Sequence, residues 1–458
     1  MPNEPLQALQ AVGNLPPTAT PERDDAAARP TSARHRIVGI SVLMAFIMYL
    51  DRICLGEIVK TDAFLNETKL SKDQIGSILG AFFFTYALFQ VPSGWISDRF
   101  GARRVMSFYI FAWSLMTGLT GMVSGSFGLL ATRLGVGIAQ AGAYPTSNAI
   151  LRRWVPLSGR GLASSLISFG GRLGAASAPF LTMWLILNAG GWRETLWIYG
   201  GVGILISILY YWMVRDRPSE HPRCNEAERQ LIGPRHDDHR PELGDVKRLI
   251  LACCQSRSLW LNSLGQFCVN IGWAFLVTWL PTFLKEVKQV SDREGAIMVS
   301  IVLSMGMVGQ IIGGKATDWS ANRFGLRYGR VLPISFAYFV AGLAYIGCSQ
   351  IDSAWGIVAC CAVVSMMTDV GNPSIWAFMQ DVGGRNTGAI FGWANMWGNF
   401  GAAVSSKMVP WLLAIGASDG SGQSMVFITC ASAFFVAGIA ALGMDATKHL
   451  KTTSEPQA

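Results

Sequence analysis

The feature that most limits this chain is a series of long apolar runs, each near the roughly 20 residues that a helix needs to cross a hydrocarbon core about 30 Å thick. They fall at residues 37–59, 74–95, 104–123, 127–150, 162–187, 196–214, 258–281, 296–317, 331–349, 354–379, 388–412 and 424–444. In lipid a helix satisfies its own backbone donors and acceptors, which an open strand cannot do. The runs therefore predict an all-α integral membrane protein with twelve transmembrane helices. Composition agrees: 51% of the residues are hydrophobic and 14% charged, against about 25% charged in an ordinary soluble domain.

The net charge of +8 does not point to nucleic acid, because the basic residues sit in alternate short loops. Arg99, Arg103 and Arg104 follow the second run, Arg152, Arg153 and Arg160 the fourth, and Arg323, Arg327 and Arg330 the eighth, whereas residues 124–126, 350–353 and 413–423 hold no Lys or Arg. Basic loops stay on the side of synthesis. Both termini are thus expected in the cytoplasm and the chain in the cytoplasmic (inner) membrane. The expected plan is a disordered cytoplasmic tail at 1–36, a six-helix bundle at 37–214, a cytoplasmic central loop at 215–257, a second bundle at 258–444 and a cytoplasmic tail at 445–458. Nine cysteines lie mostly in apolar runs without metal or disulfide spacing, and the five histidines lie in loops or tails. No metal, cofactor or enzymatic constellation is expected.

The halves echo each other. Gly94-Trp-Ile-Ser-Asp98 after the second run has a counterpart in Gly314-Lys-Ala-Thr-Asp318 after the eighth, Gly159-Arg160 matches Gly384-Arg385, and GRLGAASAP at 171–179 resembles GNFGAAVSS at 398–406. Two related six-helix bundles around a midplane cavity are the plan of a secondary transporter, in which one half rocks against the other.

The segment Gly94-Trp-Ile-Ser-Asp98-Arg99-Phe-Gly101-Ala-Arg103-Arg104 resembles the G-x-x-x-D-R-x-G-x-R-R signature of the major facilitator superfamily. Gly94 permits close helix contact, Asp98 can pair with arginines or cap a helix N-terminus, and Arg103 and Arg104 anchor a basic face. The resemblance implies a conformational latch; the plainer use of these arginines is to set topology.

Charges inside the runs are costly, about 2.5–3.5 kcal/mol each near the bilayer centre, and are functional candidates for that reason. By helical rise Arg52 lies roughly 6 Å, Arg133 roughly 9 Å and Arg172 within roughly 3 Å of the midpoints of runs one, four and five. Three arginines in one slab outline an anion site, since guanidinium stays protonated and its fork of donors matches a carboxylate or phosphate. An internal ion pair is the competing use for each, and for Arg172 a packing or gating role. Polar residues at helical spacing flank the slab: Tyr49; Tyr86 and Gln90; Gln140 and Tyr144; Asn262, Gln266 and Asn270; Asp369, Trp376 and Gln380; Asn395 and Asn399.

Tyr49-Leu-Asp51-Arg52, the Arg133 stripe, GQFCVNIGWAFLVTWLPTFL in run seven and WAFMQDVGGRNTGAIFGWANMWGN across runs ten and eleven are similar to the anion:cation symporter family, which includes hexuronate, galactonate and glucarate transporters. The resemblance implies that Arg52 and Arg133 face a substrate carboxylate, that Tyr49, Tyr86, Gln266 and Asn395 contact its hydroxyls or carboxylate, and that Trp376 lies near its chain. It also implies that Asp51 is a proton-linked carboxylate; its protonation is expected to release an arginine partner, which the anion then takes. Where the family carries Glu, seven residues after Arg133, this chain has Gln140, which cannot titrate; Asp369 is then the second coupling candidate, an ion pair or helix packing being its other use. The expectation is a proton-coupled importer of a small organic anion, a sugar acid or related carboxylate, monomeric in the bilayer, with no cofactor beyond the proton. An organophosphate:phosphate antiporter, a drug or metabolite exporter and a non-transporting anion sensor are the rivals.

Overall fold

The computed structural model describes residues 29–233, 245–416 and 421–450. Six long helices form the first half, with a short one at Asp62–Thr68 between the first two: α1 (Ala33–Ile58), α2 (Lys72–Phe100), α3 (Ala102–Thr120), α4 (Ser126–Ala141, continued by Ala143–Trp154), α5 (Arg160–Asn188) and α6 (Trp192–Met213). The second half begins with α7 (Arg257–Ala274, a π-helical turn Phe275–Trp279, then Leu280–Glu286). Next come α8 and α9, the two arms of the helical stretch Asp292–Gln350, followed by α10 (Ala354–Gly383), α11 (Thr387–Ile415) and α12 (Gly422–Leu442). The stretch Asp292–Gln350 would be about 88 Å long as one straight helix, nearly three bilayer cores. Gly325, at φ 72° and ψ 176°, divides it into two spans.

By length and composition, seven helical stretches among the described residues can cross a membrane, and two of them, Arg293–Gln350 and Ala354–Ile415, each hold two spans. The remaining spans, α3, α4 and α5, are the ones that carry arginine pairs at an end, a break at Gly142, or Arg172 in the middle. Those charges and breaks mark where the first half is specialised.

The two halves repeat one packing scheme, with α1 on α5, α2 on α4 and α3 on α6, matched by α7 on α11, α8 on α10 and α9 on α12. The echoed GRLGAASAP and GNFGAAVSS segments are where the first of these pairs approach most closely. A Cβ on Gly174 would lie 2.2 Å from the Phe46 carbonyl oxygen of α1, and one on Gly401 would lie 2.0 Å from that of Phe267 on α7. The starts of α2 and α8 repeat too: Ser71 and Ser291 each accept from the backbone of the third residue of the helix, Gln74 and Glu294, satisfying one of the orphan N–H groups of a helix start.

The segment expected as a loop at 215–257 contains two short helices, Glu226–Ile232 and Asp245–Gln255. The first is pinned to the start of α1, because buried Glu228 accepts from the backbone N–H groups of Ala33 and Arg34 at 3.1 and 3.0 Å and from the Thr31 hydroxyl. A carboxylate at a helix N-terminus gains from both the free donors and the helix dipole. Residues 234–244 of that segment, 1–28 of the expected N-terminal tail and 451–458 of the C-terminal tail lie outside the described residues.

Candidate substrate site

A cavity of about 190 Å³ sits between the halves, lined from the first by Tyr49, Arg52, Phe83, Tyr86, Tyr144, Ser168 and Arg172 and from the second mainly by Gln266, Asn270, Trp273, Tyr338, Asp369, Asn372, Trp376, Asn395 and Asn399. Eleven of the residues singled out from the sequence thus converge here: Tyr49, Arg52, Tyr86, Tyr144, Arg172, Gln266, Asn270, Asp369, Trp376, Asn395 and Asn399. The aromatic members form a wall, with the Tyr144 ring 6.4 Å from Tyr49 and 4.9 Å from Trp376, and Trp376 in turn 5.1 Å from Phe391.

Arg52 is the cation presented to this space from α1. Its guanidinium carbon lies 4.6 Å from the ring centroids of both Tyr49 and Tyr86 and 5.0 Å from that of Phe82. Its Nε donates to Gln140 Oε1 at 3.2 Å, while the Gln140 amide donates to the Met48 carbonyl at 3.1 Å. Nη2 has no protein acceptor. A buried charged donor held by π-faces and one neutral amide retains its capacity for an anion.

Arg133 and Asp51 are placed elsewhere. Arg133 is 5% exposed and donates through Nη2 to the Arg52 carbonyl at 2.9 Å, so it braces the backbone of α1 behind the cavity instead of lining it. Asp51 is fully buried on the far face of α1, beside Trp113 of α3. Among the described residues no hydrogen bond reaches either of its carboxylate oxygens, and it makes no ion pair. The expectation that Asp51 parts from an arginine therefore has no counterpart in this conformation. At the cavity wall the carboxylate that holds an arginine is Asp369, which accepts from Arg172 Nη2 at 2.8 Å and from Gln310 Nε2 at 3.1 Å.

Of the other polar residues read from the sequence, Asn262 and Gln90 are buried away from the cavity, and Gln380 donates across the halves to Asn148 at 2.7 Å and Ser164 at 3.0 Å. The sequence reading missed Asn372, Trp273 and Gln310. Asn372 and Trp273 each follow a flagged residue, Asp369 and Asn270, by three positions, a spacing that puts them on the same helix face.

One end of the cavity is closed by contacts that repeat about the pseudo-symmetry axis. Asp98 of α2 accepts from the backbone N–H groups of Gly388 and Ala389 at the start of α11, at 3.0 and 2.9 Å; Asp318 of α8 accepts from Gly161 and Leu162 at the start of α5, at 2.8 and 2.9 Å. A Cβ on Gly94 would lie 2.2 Å from the Gly388 carbonyl oxygen, so only glycine lets α2 and α11 meet there. Between these two caps Asp381 binds Arg160 of the opposite half and, at 2.8 Å, fully buried Arg330 of its own. The Arg103 N–H donates to Asp216 at 2.8 Å and its side chain to the Tyr211 carbonyl at 2.8 Å, Arg99 lies over Trp95, Arg104 is exposed, and Gly101 adopts φ +93° against Asp216.

Two six-helix halves, joined by symmetric helix caps at one end and enclosing a polar, arginine-bearing cavity, define a multi-pass membrane transporter of the secondary type. The chain belongs to the Major Facilitator Superfamily, whose family model matches residues 41–406. It is 31% identical to a probable sulfoacetate transporter of Cupriavidus necator over 81% of this chain and 84% of that one. To a probable galactarate/D-glucarate transporter of Escherichia coli it is 26% identical, over 87% and 90%. Among solved structures, the human organic anion transporter TETRAN shares the fold with a TM-score of 0.68 at 15% identity, covering 89% of this chain and 99% of that one. The fucose:proton symporter FucP of Escherichia coli, in an outward conformation, gives 0.67 at 14%, covering 89% and 98%.

Proposed function

We propose that the protein imports a small organic anion, a sugar acid or related short carboxylate, together with protons. The observation that carries this reading is Arg52, a cation at the cavity wall whose Nη2 lacks a protein partner. Transporters named for sulfoacetate, galactarate and D-glucarate among the relatives support the anion class. The basic loops favour a cytoplasmic position for the end closed by Asp98, Asp318 and Asp381, with both termini on that side of an inner membrane, and in that orientation the cavity belongs to a state that receives substrate from outside. The motif residues Gly94, Asp98, Arg99, Gly101, Arg103 and Arg104 serve the latch that holds this state. Opening it exchanges two helix caps for substrate and proton contacts, a shift a ligand drives only through its differential affinity for the two states.

Asp51 and Asp369 are the coupling carboxylates. A buried ionised carboxylate without a partner is costly, so a half that must move through lipid favours Asp51 neutral. Uptake of sulfoacetate, galactarate, D-glucarate and D-galactonate into proteoliposomes, with and without an imposed pH gradient, tests the reading. Accumulation driven by an inward proton gradient is the expected result. Uptake indifferent to the gradient would overturn symport, exchange against internal phosphate would favour an organophosphate antiporter, and saturable binding without flux would favour a sensor.

A further inference from the structure

We propose that Arg172 is a second anion subsite, held in reserve by Asp369, and that the transported anions carry two acidic groups, one taken by Arg52 and the other by Arg172. The proposal rests on the anion-import reading above and narrows its substrate class.

Arg172 and Arg52 both line the cavity, and Asp369 is the one acidic side chain among its lining residues. The Arg172–Asp369 pair spans the two halves, from α5 to α10, with the guanidinium also 5.3 Å from the Trp273 ring. A free anion can compete for that guanidinium only if Asp369 is provided for once it lets go. Gln310 of α8 provides for it. The Gln310 side chain is fully buried, donates through Nε2 to Asp369, and has an Oε1 with no donor. A protonated Asp369 would supply the donor that this oxygen lacks, completing an amide–acid pair, whereas the ionised form leaves it unsatisfied. The other polar groups about the pair are Ser365 of α10 and Tyr338 of α9 beside Asp369, and Tyr49 and Tyr144 beside Gly171 and Arg172. None of them is a second cation that could hold Asp369 ionised.

An anion that takes Arg172 releases Asp369, and Gln310 completes its pairing only with the protonated acid, so a two-headed anion should enter with one proton more than a one-headed anion of the same length.

The test uses the full chain in proteoliposomes with galactarate and D-galactonate, six-carbon acids that differ in whether one end or both is a carboxylate. Wild type is expected to prefer galactarate at least tenfold in uptake efficiency and to move one more proton with it. In Arg172→Gln that preference should fall at least tenfold. Because this variant strands a buried carboxylate, Arg172→Gln with Asp369→Asn is measured alongside and should show the same fall. Wild-type preference for D-galactonate, or an undiminished galactarate preference in the double variant, overturns the proposal while leaving anion import standing; uptake of neither acid overturns the import reading itself.

Discussion

Arg52 donates its Nε–H to Gln140 Oε1 over 3.2 Å, and Gln140 in turn donates to the Met48 carbonyl one turn earlier on α1. A neutral amide thus positions the anion-site cation without neutralising it. Replacing it by a carboxylate of the same length, Gln140→Glu, should make the site pH-sensitive. In alkaline solution the introduced carboxylate is ionised, pairs with Arg52 and competes with substrate; in acid it is neutral and behaves as the amide does. The variant's affinity, measured by calorimetry across pH, should fall about tenfold on the alkaline side, roughly 1.4 kcal/mol, and recover in acid. A variant whose affinity follows wild type at every pH would remove Gln140 from the positioning of Arg52.

The closed end offers a symmetric experiment. Asp98 and Asp318 each satisfy two backbone donors at the start of a helix in the opposite half. Losing such a cap costs about 0.5–2 kcal/mol. Asp98→Ala should accelerate amide exchange at Gly388 and Ala389, and Asp318→Ala at Gly161 and Leu162, by a factor of about 2–30. The two effects should be nearly additive, since the caps share no partner. Exchange unchanged at the capped amides in both variants would mean that other contacts hold the end shut.

Most of this arrangement could be read from the sequence because it rests on periodicity and on charges in lipid. The apolar runs located the spans because a helix end in a bilayer is bounded by thickness, and the echo between Gly94–Asp98 and Gly314–Asp318 corresponds in space to the two caps. Arg52, Arg172 and Asp369 stood out because charges inside a span are rare. What could not be read was direction about the helix axis. Arg133 lies one heptad before Gln140 on α4, yet its guanidinium turns to the Arg52 carbonyl; the roughly 100° step between neighbours does separate Asp51 from Arg52, but does not say which of the two faces the cavity. Rotation of a helix is set by its neighbours' side chains, through contacts distant in sequence. The short helices of the central segment were hidden for a different reason: Glu226–Ile232 is too short to show a period and exists through the Glu228 cap on α1.

The matched glycines of α5 and α11 give a stability test with an internal control. A methyl at Gly174 or Gly401 would meet a carbonyl oxygen of the facing helix at 2.2 or 2.0 Å, and backbone cannot swing aside as a side chain can. Gly174→Ala and Gly401→Ala should each lower stability by about 1–3 kcal/mol, the usual cost of overpacking, seen as a lower melting temperature in detergent. Gly39→Ala, in α1 with nothing within 4 Å of the added methyl, should be neutral or gain up to about 1 kcal/mol from helix propensity. Equal effects at all three positions would show that the close approaches do not limit packing.

The two coupling carboxylates differ in what their neutralisation should do, and that difference separates their roles. Asp51 has no hydrogen bond and no ion pair among the described residues, so Asp51→Asn removes a buried charge without stranding a partner; stability should hold or rise, while gradient-driven accumulation should be lost and substrate exchange at equal pH retained. Asp369 holds Arg172, and breaking a buried pair by removing one charge costs about 3–5 kcal/mol when nothing replaces it. Asp369→Asn should therefore melt earlier than wild type in the absence of substrate, regain much of that loss when an anion occupies Arg172, and still accumulate substrate down a gradient with fewer protons per molecule. Paired melting curves with and without substrate, together with proton flux counted per substrate, read both outcomes. If Asp51→Asn abolishes gradient-driven uptake while Asp369→Asn leaves proton stoichiometry untouched, coupling belongs to Asp51 alone and the Arg172–Asp369 pair serves only to join the halves.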